Sequence, residues 1–318
     1  MRVENDLRND PIRPLVLRIA IPSMLAQFVS VLYSVVDRIY IGNIPEVGSL
    51  ALAGAGVCGP IVTMLGSVAF WVGVGGSPLV SIRLGEGRRE QAKQIVANAF
   101  LLLIVMSLAL MGGAYATRRP ALMLFGASPE TLPYAMEYYS WYLTGTVFAL
   151  LSTGMNQFVI CQGFAQKGMQ SVILGAVMNI VLDPLFIFGL KMEVKGAAIA
   201  TVLSQIVSFS ILLIQCWRGG NIRMNPKKVR LKWDIYHEVL RGGLPSFYRQ
   251  VLASIAENVA YAKSKCDDIE FSAEDASRSD WAFLARCYST AVKAGATVLN
   301  VPDTVGYATP DEMGDLIR

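Results

Sequence analysis

Six stretches of the chain are apolar almost throughout, at roughly 14–41, 51–81, 94–117, 133–161, 169–190 and 196–217. Each is long enough to cross a bilayer as a helix, which takes about 20 mostly apolar residues. The stretch QIVANAFLLLIVMSLALMGGAYAT at 94–117 has so few polar positions that a membrane span is its natural home. Six such runs in succession exceed what a water-soluble core needs. None shows the short apolar core and small-residue cleavage site of a signal peptide. The pattern changes after Ala256. ENVAYAKSK reads as a helix and Ile269 to Ser272 as a short strand. Ser279 to Ala294 reads as an amphipathic helix capped by Ser279 and ended by Gly295. Thr297 to Val301 reads as a buried strand, and Pro310 opens a last helix. Strand, helix, strand, helix at this spacing predicts a parallel α/β unit.

Charge sharpens the division. Residues 1–256 hold 22 Lys/Arg and 13 Asp/Glu, a balance of +9, and residues 257–318 hold 6 and 11, a balance of −5. Over the whole chain 53% of residues are hydrophobic and 16% charged, where globular proteins average about 25% charged. This argues against a soluble enzyme, a disordered chain and a nucleic-acid binder. The net charge of +4 is too small to call for a polyanionic partner. Cys58, Cys161, Cys216, Cys266 and Cys287 show no CxxC spacing and read as buried thiols, and with one histidine no metal site is expected.

The connections between the spans set an orientation. Cytoplasmic loops are enriched in Lys and Arg. The N-terminal segment carries Arg2, Arg8, Arg13 and Arg18, the second connection Arg83, Arg88, Arg89 and Lys93, and the fourth Lys167. The sixth, 218–242, carries Arg218, Arg223, Lys227, Lys228, Arg230 and Lys232. The first connection has none, the third Arg118 and Arg119, and the fifth Lys191 and Lys195. The alternation predicts a multi-pass protein of the cell membrane with a cytoplasmic N-terminus and both ends of the bundle inside. The sixth connection also reads as a patch for lipid headgroups.

Candidate chemistry lies where charge sits inside apolar sequence. Asp37 is near the end of the first span and Asp183 within the fifth. An intramembrane carboxylate costs roughly 2.5–3.5 kcal/mol on insertion scales, which makes each a functional candidate. Asn179 precedes Asp183 by four residues and shares its helical face, and Pro184 removes a backbone donor beside it. The other readings are an interfacial pair of Asp37 with Arg38 and a structural polar contact for Asp183. Gly73-Val74-Gly75-Gly76 permits close packing or a hinge. Ile21-Pro22-Ser23 with Gln27 recurs as Leu244-Pro245-Ser246 with Gln250, 223 residues later. This suggests a duplicated bundle, a common plan among transporters, with 243–256 as a truncated start of a seventh span.

IPSMLAQFVSVLYSVVDRIYIG, RLGEGRREQAKQ, NQFVICQGFAQKGMQ, NIVLDPLFIFG and GAAIATVLSQ occur in this order. Together they resemble the N-terminal lobe of the MATE (multidrug and toxic compound extrusion) transporters over about residues 5–256. The resemblance implies a mainly α fold, six helices as half of a twelve-helix bundle. It also implies a membrane antiporter that exports cationic or amphipathic compounds in exchange for H+ or Na+, with no other cofactor. Asp37, Asn179 and Asp183 match the family's cation-coupling residues, and Asn156 and Thr201 match its transport cavity. The second lobe has no counterpart beyond its first dozen residues, so weak export is expected unless a homodimer rebuilds the cavity.

EFSAEDASRSD and LNVPDTVGYATPDEMGDLI resemble the 2-isopropylmalate, homocitrate and citramalate synthases over residues 257–318. That implies a fragment of a metal-dependent α/β barrel for acyl transfer from acetyl-CoA to a 2-oxo acid. Glu274 and Thr304 match positions that touch the 2-oxo acid, or they simply cap a helix and a turn here. The family's metal is held by an Asp on the first barrel strand and by an H-x-H pair. Transporter sequence stands in place of that strand, and the only histidine is His237. No catalytic residue and no metal ligand is therefore expected, and two strands cannot close a barrel. Three readings stay open: a transporter, an acyltransferase fragment of leucine biosynthesis, and a chimera that performs neither task.

Overall fold

The computed structural model describes residues 12–218, 233–273, 276, 279–302 and 309–317. They fall into two compact units, Met1–Phe247 and Tyr248–Arg318. Unit 1 is helical: α1 (Ile12–Gly42), α2 (Gly48–Gly85), α3 (Arg89–Leu124), α4 (Leu132–Ile160), α5 (Ala165–Pro184), α6 (Glu193–Arg218) and the first half of α7 (Trp233–Lys263). Six helices are long and apolar enough to cross a membrane: Val16–Gly42, Gly48–Gly85, Arg89–Leu124, Leu132–Ile160, Ala165–Gly189 and Glu193–Trp217. They correspond one to one with the six apolar stretches, but α2 and α3 overrun them at both ends. The 38 residues of α2 span about 57 Å at 1.5 Å each. The hydrocarbon layer takes only about 30 Å, so helix ends with Arg83, Arg118 and Arg119 can stand in the polar margin.

α4 lies at the centre, packed on α2, α3 and α6, while α1 packs mainly on α5 and α5 on α6. Without a hydrophobic force between helices in lipid, contact relies on small residues that let backbones approach. Gly73 and Gly154 do this for α2 and α4. A Cβ on Gly73 would stand 2.8 Å from the Gly154 carbonyl oxygen, and one on Gly154 2.7 Å from Leu103 Cδ1. Two apolar clusters result. One gathers Val72, Val96, Leu103, Met155, Phe158 and Leu212, the other Ile41, Cys58, Leu122, Tyr139, Leu143 and Ala197. Thr146 on α4 and Thr201, Ser204, Gln205 and Ser208 on α6 lie between these clusters along their helices.

Pro184 marks a change of winding. It has no N–H to give to the Ile180 carbonyl, and the next residues, Leu185–Gly189, form a π-helical turn. There the Leu190 N–H donates to the Leu185 carbonyl at 2.8 Å. Such turns take up a residue in excess of regular α geometry and are frequent at functional sites.

Unit 2 holds the second half of α7, β1 (Glu270–Ser272), α8 (Trp281–Ala294), β2 (Val298–Asn300) and α9 (Pro310–Ile317). β1 and β2 pair in parallel, Glu270 opposite Val298 and Ser272 opposite Asn300, so the sheet and its crossover helix match the predicted unit. Asp280, not Ser279, caps α8: its carboxylate accepts from the Phe283 N–H at 2.8 Å. Asp280 has the extended backbone that a cap requires, φ −60° and ψ 118°. Gly295 closes the helix at φ 112°, a left-handed conformation that favours glycine. ENVAYAKSK is not a separate helix. It continues α7, in which the stretch 243–256 is the middle, since no residue near Ala256 breaks the winding before Ser264. The sixth connection, apart from Arg218 and residues 233–242, lies outside the described residues.

Candidate functional site in the membrane bundle

Packing of α1 on α5 carries Asp37 to Asp183. There the two carboxyls are near enough to act on each other electrostatically. Asp183 is fully buried, Asn179 is 1% exposed and Asp37 9%. One helical turn before Asp183, the Asn179 Nδ2 donates to Asp183 Oδ1 at 3.2 Å. It also donates to Thr201 Oγ1 at 3.4 Å, and the Thr201 hydroxyl donates to the Ala197 carbonyl at 3.0 Å. α1, α5 and α6 thus bring four of the expected residues together, more than 160 positions apart at the extremes. Asp37 Oδ1, Asp183 Oδ2 and Asn179 Oδ1 are buried with no hydrogen-bond donor among the described residues.

Two buried carboxylates near one another repel unless a proton or a cation stands between them. Arg38 does not form an ion pair with Asp37. It is exposed, and the ion pairs among the described residues are Arg83–Glu86, Arg88–Glu86 and Lys93–Glu90. The arrangement can therefore hold one monovalent positive species, flanked by the amide oxygen of Asn179 and the hydroxyl of Thr201. Among the described residues no three His, Cys, Asp or Glu side chains come together as a metal site.

Beside the carboxyl pair lies a cavity of about 250 Å³. Asn179 and Thr201 reach it, along with Tyr33, Tyr142, Thr146 and Gln205. Asn156 does not line it. Its amide oxygen sits against Gly168 of α5, where a Cβ would collide with it. Tyr33, Tyr142, Thr146 and Gln205 were missed by reading for charge. A signal was present: Tyr142, Thr146 and Thr153 repeat at helical spacing on α4, as do Thr201, Ser204, Gln205 and Ser208 on α6. Such stripes give otherwise lipid-like helices a polar inner face. Glu274 and Thr304 lie outside the described residues.

Residues 22–185, just over half of the chain, match the MatE family. The chain belongs to the MatE family. An FAD transporter from Shewanella oneidensis is 30% identical over 218 residues, 66% of this chain and 47% of the relative. A MOP superfamily transporter from Pyrococcus furiosus superposes with a TM-score of 0.72 at 27% identity, over 78% of this chain and 55% of that one. A MATE structure in complex with MaD3S, at 24% identity and TM-score 0.73, shares the fold over 88% of this chain and 65% of its own. Residues 244–318 match the HMGL-like family. There 2-isopropylmalate synthase 1 from Caldanaerobacter subterraneus is 59% identical over 69 residues, 22% of this chain and 17% of the synthase. The MatE chain thus spans about half the length of the curated transporter it matches and about a sixth of that synthase. The HMGL-like match starts 13 residues ahead of residue 257, inside α7.

Proposed function

We propose that the membrane unit binds small cationic or amphipathic compounds and exchanges them for H+ or Na+. Asp37, Asn179 and Asp183 hold the coupling ion, and Thr201 joins them to the cavity. What supports this reading is the carboxyl pair: two buried acids from the packed helices α1 and α5, one oxygen of each without a donor among the described residues. A bound proton or Na+ relieves their repulsion, and an arriving organic cation competes for the same negative charge. The described cavity lining contains no Lys, Arg or His. A flavin dinucleotide, the cargo named for the Shewanella relative, carries a diphosphate that such a lining cannot neutralise.

The loop charges favour a cytoplasmic N-terminus in the cell membrane, with the bilayer as the solvent of α1 to α6. In this reading two copies of the chain rock about a shared site, as the two halves of repeat-built transporters do. For unit 2 we propose no independent acyltransferase activity. Incubation of the purified chain with acetyl-CoA and a 2-oxo acid then yields no 2-isopropylmalate.

Ion release on ligand binding tests the central claim and needs one lobe alone. Addition of a cationic dye to the purified chain releases H+, read with a pH indicator, or Na+, read with an ion electrode. Asp37→Asn and Asp183→Asn abolish that release while the protein remains in the membrane. Unchanged release in both variants rejects the assignment.

A further inference from the structure

Every described side chain that lines the cavity is uncharged, yet the lining is not uniformly satisfied. Three of its hydroxyls, all on α6, are engaged with backbone carbonyls. Ser204 donates to Ala200 at 2.8 Å, Thr201 to Ala197 at 3.0 Å and Ser208 to Ser171 of α5 at 3.0 Å. Besides Asn179 Oδ1 near the carboxyl pair, two more buried oxygens of the lining are not engaged. Thr146 Oγ1 on α4 and Gln205 Oε1 on α6 are buried without a hydrogen-bond partner among the described residues. Thr146 is 2% exposed and, unlike Thr201, does not donate to the carbonyl one turn back.

The Gln205 amide is held by its other end. Its Nε2 donates to the Tyr142 hydroxyl at 3.4 Å, which leaves Oε1 over Gly145, next in sequence to Thr146. A Cβ on Gly145 would stand 2.8 Å from that oxygen and 2.7 Å from Val202 Cγ2. Glycine there lets α6 bring Gln205 close to α4. Tyr142 and Thr146 are one turn apart on α4 and both border the cavity, as does Tyr33 of α1.

An amide oxygen can only accept a hydrogen bond, and a buried acceptor left without a donor weakens any complex that covers it. We infer that Gln205 and Thr146 form a subsite that reads N–H donors on the ligand, so that this cavity favours protonated amines over quaternary ammonium ions of the same shape. The inference rests on the reading of the cavity as a cation site and adds to it which cations are preferred. Charge attracts both kinds of ligand toward the carboxyl pair. Only a protonated amine also brings a hydrogen for Gln205 Oε1 or Thr146 Oγ1, whereas a quaternary ion covers both oxygens with methyl groups.

The test uses two fluorescent probes with the full chain in detergent. N,N-dimethyl-1-naphthylmethylammonium carries one N–H, and its N,N,N-trimethyl counterpart carries none. The wild-type chain binds the first about tenfold more tightly, the effect of one buried acceptor satisfied or left bare. Gln205→Leu and Thr146→Val each lower that preference toward unity, while affinity for the trimethyl probe stays within about twofold and so reports an intact cavity. Equal binding of the two probes by the wild type overturns the inference, as does a preference that survives in both variants. Asp37→Asn separates this inference from the one beneath it. Equal weakening of both probes supports the carboxyl pair as the cation site. A preserved N–H preference with no weakening rejects the carboxyl assignment and leaves the Gln205 subsite standing. Failure of the wild type to bind either probe overturns both.

Discussion

Apolar side chains stand exposed in both units, and they do opposite things there. On α1 of unit 1, Met24 is 70% and Phe28 66% exposed, with Leu17, Ile21, Val31 and Val35 in the same row. In a membrane that row meets lipid tails or another helix, and exposure carries no penalty. In unit 2, Trp281, Val292 and Val298 are each 50% exposed, on a two-stranded sheet and a helix whose first sheet face is barely covered. Parallel strands are normally buried on both faces. The same fractional exposure is neutral where the solvent is hydrocarbon and destabilising where it is water. Unit 1 therefore derives its stability from close backbone contact and from satisfied polar groups. Unit 2 depends on a small apolar seam, Leu284, Cys287 and Ala291 of α8 with Phe271 edge-on to Tyr288 at 5.6 Å.

The comparison breaks most sharply where a side chain is added at a close helix contact. Gly75 and Gly243 bring α2 against the first half of α7. A Cβ on Gly75 would collide with the Val239 carbonyl and one on Gly243 with the Trp71 carbonyl, while the Trp71 indole donates to the Leu240 carbonyl at 2.7 Å. Gly75→Leu is expected to destabilise unit 1 by about 3 kcal/mol, the upper range of overpacking, seen as a lower midpoint in thermal aggregation from detergent. A similar substitution at Gly314 of unit 2, half-buried but with nothing within 4 Å of a Cβ, leaves the midpoint in place.

Thiol reactivity distinguishes seam from surface within unit 2. Cys287 is buried in the seam and burial pushes its thiol up from the ordinary range, so less thiolate is present near neutral pH. Cys266 is exposed. With a maleimide at pH 7.5, Cys266 is expected to react at least about tenfold faster, followed by peptide mass spectrometry. Equal rates would show that the seam opens freely and that unit 2 has no packed core.

Smaller effects come from single caps and surface charges. Asp280→Ala removes the cap of α8 and is expected to destabilise that helix by about 1 kcal/mol, visible as faster amide exchange at Phe283 and Leu284 with α2 and α4 unchanged. Glu90→Gln breaks the Lys93–Glu90 pair at the start of α3, 2.6 Å long and largely exposed. Its effect stays below about 0.5 kcal/mol because solvent screens such pairs. A larger loss in a urea titration would mean that the pair is shielded from water.

Legibility followed the physics of each feature. The six spans could be read because long apolar runs have one stable home, and their number and order carried through. Their ends could not, because helices continue past the hydrocarbon layer into a polar margin that tolerates Arg118 and Arg119. Asp37, Asn179 and Asp183 stood out as charge and amide within apolar sequence; Asn179 bonds Asp183, and the packing of α1 on α5 brings Asp37 near them. Asn156 was singled out by the same resemblance, yet it sits against Gly168 and does not line the cavity. Gln205 and Thr146 passed unnoticed, since a neutral polar residue in a membrane helix is common and most satisfy themselves on their own backbone. The cap of α8 was placed one residue early, because serine and aspartate are equally good caps and only the backbone angle chooses between them.

The sequence by itself determined the membrane class, the number of spans, the break in composition after residue 256 and the parallel α/β pattern beyond it. These follow from transfer energies and local periodicity, which each residue carries independently of its distant neighbours. Tertiary structure alone decided which polar groups face one another. Packing of α1 on α5 brought Asp37 near Asp183, Gly145 let α6 carry Gln205 to α4, and α7 ran as one helix through 243–256 and on to Lys263. Hydrogen bonds act over about 3 Å and in fixed directions, so whether a buried oxygen is satisfied depends on helix rotations and spacings that side chains elsewhere in the bundle impose.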